Sequence, residues 1–332
     1  PILWVCPFGV RADLPPESTA VSRICLFAVI FAAGPLLGEP TTEPAAKSPP
    51  KPAPEFRWVN RLPETRTPLV RHGVFHSDAN QAEVGYYIYL PPGYDEPDNA
   101  SKRYPVVYYL HGGRPGGEHK SLKMAEFFDE AMRAGRVPPM IYVFVNGGAM
   151  SHYDFPAKNS YGETAFVKEL IPHIDTTFRT IASREGRGLE GFSQGGRGTG
   201  RIMFKFPEMF CSAAPMGGGH QHEKHAAEHE GRETSGVQFE PGNNTYDLAR
   251  KYVERQPEFP LHILVAFGRQ DFNYEANLDW MRLLTELGIP HDSEIAGDAP
   301  HSAVECYRNL GDRVMLFHAR NFGLSPTHRS VR

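Results

Sequence analysis

Apolar residues along this 332-residue chain gather into two kinds of run. Short runs without alternation predict strands at 84–90, 105–110, 140–145, 211–216 and 261–267, with a shorter one at 293–296. A further short strand at 187–190 runs into a glycine-rich turn. Between the strands the spacing changes to a helical one. In 274–287, Tyr274, Leu278, Met281 and Leu284 fall at i, i+4, i+7 and i+10, and Gly288 and Pro290 close the helix. Further helices are predicted at 122–134, stopped by Gly135; at 164–178, bent at Pro172; and at 195–206, ahead of Pro207. Ser302-Ala303-Val304-Glu305 reads as a capping box that opens a last helix. Strands that do not alternate are buried on both faces, so the expected fold class is α/β. The sheet should be mostly parallel and doubly wound, with helices on both faces. In such sheets reactive groups collect beyond the carboxyl ends of the strands.

The first 55 residues break this pattern. Residues 1–38 form a leader in which Arg23 precedes an apolar run, 24–33, ending at Gly34-Pro35. That order fits a secretory signal peptide, so a secreted or periplasmic location is expected; a buried helix is the other reading. The run is too short for a stable membrane span. Residues 39–55 are a proline-rich linker that favours extended chain. The folded domain is expected over 56–324, with a tail at 325–332.

Composition narrows the function. Hydrophobic residues at 40% and charged residues at 22% suit one large globular domain. A net charge of −4, with no Lys/Arg-rich run, argues against a nucleic-acid partner. Cys6 and Cys25 lie in the leader, and Cys211 and Cys306 in the domain. The latter two either pair in an oxidising compartment or are isolated buried thiols. No cysteine spacing suggests a metal site, and no cofactor or metal is expected.

The predicted strand at 187–190 leads into Gly191-Phe192-Ser193-Gln194-Gly195. This is the pattern of a nucleophile elbow, which exposes a serine on a tight strand-to-helix turn. Two later strand ends supply its partners: Asp271 after 261–267, and His301 after 293–296. A serine hydroxyl needs a base that works near neutral pH, which is histidine. A carboxylate on the far ring nitrogen then fixes the tautomer and stabilises the charged imidazole. The order Ser193, Asp271, His301 is that of an α/β-hydrolase triad. Asp298 and Asp279 are the alternative acids, should Asp271 only cap the helix that follows it.

An oxyanion formed at Ser193 needs two N–H donors. Gln194 is the first candidate, and Gly113 in the loop His111-Gly112-Gly113 is the second. Residues 217–242 form a glycine- and histidine-rich insert holding His220, His222, His225 and His229. His225 and His229 stand at i, i+4, which allows a metal site, but no H-E-x-x-H occurs. A solvated, mobile, polar flap near the active site is the expected structure.

The domain resembles the putative-esterase family of the α/β-hydrolases. That family includes esterase D, enterochelin esterases, mycolyltransferases, and the feruloyl and acetylxylan esterases of carbohydrate esterase family one. The resemblance covers about residues 68–322. It rests on Tyr89-Leu90-Pro91-Pro92-Gly93-Tyr94, residues 105–113, Glu169-Leu170-Ile171-Pro172, the elbow, Gly268-Arg269-Gln270-Asp271, and Pro300-His301. It implies an α/β-hydrolase fold, nucleophile Ser193, base His301, acid Asp271, and oxyanion amides at Gly113 and Gln194. It also implies a serine carboxylic-ester hydrolase acting on acyl or feruloyl esters of polysaccharides, or on similar small esters. The alternatives are an acyltransferase using the same triad and a non-catalytic carbohydrate-binding relative. Two departures stand out. Family members commonly carry Met or Leu where Gln194 stands, and the His-rich insert has no recognised counterpart.

Overall fold

Each central strand turns successive side chains to opposite faces, and both sets are apolar, so the sheet has to be covered twice. The computed structural model describes residues 55–62 and 70–325. The leader, all of the linker but residue 55, and the tail from 326 lie outside them, and with them the signal-peptide expectation. The elements in chain order are β1 (Val70–Ser77), β2 (Ala82–Tyr89), β3 (Val106–Leu110), α1 (Met124–Arg133), β4 (Ile141–Val145), β5 (Asp154–Phe155) and β6 (Ser160–Tyr161). Then come α2 (Gly162–Thr164), α3 (Ile171–Thr177), β7 (Arg187–Phe192), α4 (Gln194–Lys205), β8 (Ser212–Met216), α5 (His220–Glu228) and α6 (Thr245–Arg255). The last are β9 (His262–Phe267), α7 (Tyr274–Glu286), β10 (Asp292–Ile295) and α8 (Ala303–Asn321).

Eight strands form one sheet in the order β1-β2-β4-β3-β7-β8-β9-β10, and β5 pairs with β6 apart from it. All pairings from β4 to β10 are parallel, and β2 runs against both its neighbours. The two layers are visible within single strands. Val106, Tyr108 and Leu110 pack with Phe166, Ile202 and Trp280, while Val107 and Tyr109 pack with Phe128, Leu310 and Val314. Helices α4, α6 and α7 therefore cover one face, and α1 and α8 the other. Each such side chain stabilises the fold by roughly 1.5–3 kcal/mol through burial. The chain has the α/β-hydrolase fold expected from its sequence.

Local differences have physical causes. The predicted helix at 164–178 is α2 and α3 joined by a π-helical stretch, Ala165–Leu170. Pro172 has no N–H to offer the Lys168 carbonyl, and the widened turns lie directly before it. The buried stripe of α7 is Asn277, Trp280 and Leu284, with Leu278 and Met281 on its flanks. Trp280 fills the layer beside Phe204 and His220. Sequence patterning missed β1, whose half-buried edge position breaks the alternation, and also α5 and α6.

Candidate active site

Strand β7 ends at the sheet's centre, and its connection to α4 is sterically forced. A Cβ on Gly195 would sit 1.9 Å from the Leu110 carbonyl oxygen of neighbouring β3, and one on Gly191 would sit 2.5 Å from the Gly195 oxygen. Only glycine fits either place. Between them Ser193 adopts φ 60° and ψ −116°, a left-handed conformation that is costly for a residue with a side chain. The Ser193 N–H donates to Met216 O on β8 at 2.9 Å, and Ser193 O accepts the Arg197 N–H at 3.1 Å. The turn is thus held by backbone on both sides.

Asp271 leaves β9 and His301 leaves β10, the adjacent strand. Their loops are tied together: Arg269 N donates to Gly297 O and Gln270 N to Ala299 O, and Gln270 bridges Pro300 in parallel. The tie brings His301 Nδ1 to 2.8 Å from Asp271 Oδ1 and His301 Nε2 to 2.8 Å from Ser193 Oγ. Asp271 is buried and also accepts the Asn273 N–H on Oδ1 at 2.7 Å. The alternative acids lie elsewhere. Asp298 is exposed beside Arg269, and Asp279 pairs with Lys224 and Tyr246.

The loop after β3 lies next to the elbow because β3 and β7 are neighbours. A Cβ on Gly112 would reach the Ser193 Cβ at 3.3 Å, so glycine there lets the loop close on Ser193. Gly113 has φ +69° and its carbonyl accepts from Ser151 Oγ at 2.6 Å. Among the described residues, neither the Gly113 N–H nor the Gln194 N–H meets a protein acceptor. The sequence reading gave His111 no role of its own. Its buried Nε2 accepts the N–H groups of Gly117 and Gly147, which ties this loop to the one after β4. Burial, helped by His152 and Lys120, holds the His111 imidazole well below its usual range, so the ring is a neutral acceptor.

The sequence profile of the family described as "Putative esterase" matches residues 77–276. The chain belongs to that family. Esterase Rv1288 of Mycobacterium tuberculosis is 31% identical over 148 residues, which are 43% of this chain and 31% of that protein. An endo-1,4-beta-xylanase/feruloyl esterase of Xylanibacter ruminicola is 32% identical over 142 residues, 40% of this chain and 19% of the relative. The aligned region is thus a third or less of these curated relatives. A solved ferulic acid esterase superposes with TM-score 0.63 at 21% identity, over 76% of this chain and 98% of that one. S-formylglutathione hydrolase of Staphylococcus aureus gives 0.58 at 19% identity, over 75% and 98%. These structures share the α/β-hydrolase fold with this esterase-family chain.

The insert corrects the expectation of a solvated flap. Residues 220–228 form helix α5, with His220, Glu223 and Ala226 buried. Two carboxylates of the insert, Glu223 and Glu233, are buried and paired inside the protein. Glu223 accepts from the Tyr153 hydroxyl and from the Thr245 N–H. Glu233, which follows in the same insert, takes both arms of Arg114 at 2.8 and 3.1 Å and an Arg197 nitrogen at 2.7 Å. Arg114 is next in chain to Gly113, and Arg197 lies on α4 and donates to Gln194 Oε1. Burial alone would raise the Glu233 carboxyl. The two arginines and Ser235 outweigh it and hold it down at about 2.

The insert's histidines are likewise engaged. His220 stacks on Trp280 at 3.9 Å, and the His225 and His229 rings stack on each other while bonding backbone carbonyls. Among the described residues no group of three potential ligands could hold a metal ion, and no helix is long and apolar enough to cross a membrane. Cys211 and Cys306 are separate buried thiols, and burial pushes them up to about 11 and about 12.

Proposed function

We propose that this chain is an exported serine carboxylic-ester hydrolase that works through an acyl-enzyme. His301 Nε2 takes the Ser193 proton as Oγ attacks the ester carbonyl carbon. The tetrahedral oxyanion accepts the Gly113 and Gln194 N–H groups, each worth roughly 3–4 kcal/mol of barrier. As the carbonyl re-forms, the alkoxy group leaves with the proton from His301, and the acyl group stays on Ser193. Water then loses a proton to His301 and attacks the acyl carbon. The carboxylic acid departs, and Ser193 recovers its proton. Asp271 keeps Nδ1 protonated throughout and stabilises the transient imidazolium.

The observation that carries this reading is the continuous Ser193–His301–Asp271 chain, with 2.8 Å at both links. An acyl or feruloyl ester on a polysaccharide is the proposed substrate class. Its support is the feruloyl esterase name of one relative and the ferulic acid esterase structures of the same fold. The apolar run at 24–33 behind Arg23 supports export. Hydrolysis of p-nitrophenyl acetate tests the mechanism. Ser193→Ala should lower kcat by about 10⁴-fold or more, and undiminished turnover by the variant would refute it.

A further inference from the structure

Phe272 is 77% exposed, while the other large exposed hydrophobics among the described residues, Leu62, Val253 and Ile295, lie between 36% and 42%. It follows Asp271 directly, and its ring centroid is 4.0 Å from that of His301. Its position is set by its neighbours. Asp271 and Asn273 on either side are buried, the second donating its N–H to the first, so the side chain between them must point outward. Phe192 also contacts the imidazole, at 4.8 Å, but it is buried. Phe272 therefore offers the large apolar surface beside His301 that solvent can reach.

Within the esterase reading above, the base hands its proton to the departing alcohol, so the alcohol's skeleton has to lie alongside His301. We infer that Phe272 is a specificity-determining residue, the platform on which the C–H face of a six-membered ring of the leaving alcohol rests. Water leaves both apolar faces when they meet. The loop that carries Phe272 also exposes polar groups: Arg269 and Gln270 precede the triad acid, and Asp298 pairs with Arg269 at 3.8 Å from the next loop. An exposed apolar ring on a loop that also carries exposed polar side chains suits a pyranose, with its C–H face and hydroxyl edge, better than a bare arene.

Three acetates share one acyl group and differ in the alcohol: methyl acetate, phenyl acetate and an O-acetylated methyl xylopyranoside. Phe272→Ala should lower kcat/KM for the xyloside about tenfold more than for methyl acetate, and Phe272→Trp should restore most of the difference. The pH profile on methyl acetate should keep its shape. An equal loss on all three substrates, with a shifted pH profile, would make Phe272 a mere support of His301 and overturn the inference. So would the absence of any loss. A loss confined to phenyl acetate would overturn the pyranose assignment. Ser193→Ala on the same substrates separates the two levels. If wild type and that variant turn all three over equally, the esterase reading falls and the platform with it.

Discussion

Ser193 carries backbone strain that the rest of the elbow must hold. A non-glycine residue at φ 60°, ψ −116° costs of order 1–3 kcal/mol. The glycines around it leave no slack. Gly195→Ala, with its Cβ 1.9 Å from the Leu110 oxygen, should cost more than about 3 kcal/mol or prevent folding, read as the urea unfolding midpoint. A loss under 1 kcal/mol would mean that β3 and α4 can separate. Asp271→Asn keeps the shape and removes the charge that fixes the imidazole tautomer. It should lower kcat about 10⁴-fold with an unchanged circular dichroism spectrum, whereas a fall of less than tenfold would place the acid elsewhere. The three triad candidates were legible in the sequence because each follows a predicted strand. Asp271 is the first choice of acid there too, with Asp298 as an alternative; what leaves no trace in residue type is the backbone tie between Gln270 and Pro300 that holds the two loops together.

At the level of elements, helix α5 and the return through Glu233 brace the loop that carries Gly113. Arg114 joins that loop to Glu233, and Arg197 joins Glu233 to helix α4. Removing the carboxylate charge leaves two guanidinium groups facing each other in a mostly buried place. Glu233→Gln should therefore destabilise the protein by about 3–5 kcal/mol and lower kcat as the Gly113 loop loosens, both measured on one preparation. A change below 1 kcal/mol would show that the network is incidental. Sequence reading took these charges as solvated because their partners are far away in the chain. Tyr153 and Glu223 are 70 residues apart, and Arg114 and Glu233 are 119 apart. Local pattern could not find them. The insert's glycines and histidines pointed to a loop, and the single apolar surface that α5 buries is short.

Across the whole molecule, stability should depend on pH through neutral buried histidines. Burial holds His152 and His220 down at about 3, and His111 is lowered in the same direction. The unfolded chain binds a proton at each near pH 6.5, where the folded chain does not. Each contribution is therefore complete above about pH 6.5 and is lost as pH falls towards 3, at about 1.4 kcal/mol per pH unit per histidine. Glu233, held at about 2, adds a loss that sets in as pH falls through the ordinary glutamate range and runs down to about 2. Urea midpoints should fall steadily from pH 6.5 to 4.5, and a flat curve there would show that these rings are protonated in the fold. The same scale explains what was legible in the architecture. The inner strands are apolar on both faces and announce a covered parallel sheet. The edges do not: β1 is half exposed and β10 mostly polar, so their membership depends on pairing with β2 and β9.

Ser193 should take the acyl group from the ester. A fluorophosphonate that traps activated serines, followed by peptide mass mapping, tests it most directly. One adduct is expected, on the peptide that contains Ser193, formed in step with the loss of p-nitrophenyl acetate hydrolysis and absent from Ser193→Ala. An adduct on another residue, or full hydrolysis with Ser193 unlabelled, would contradict it.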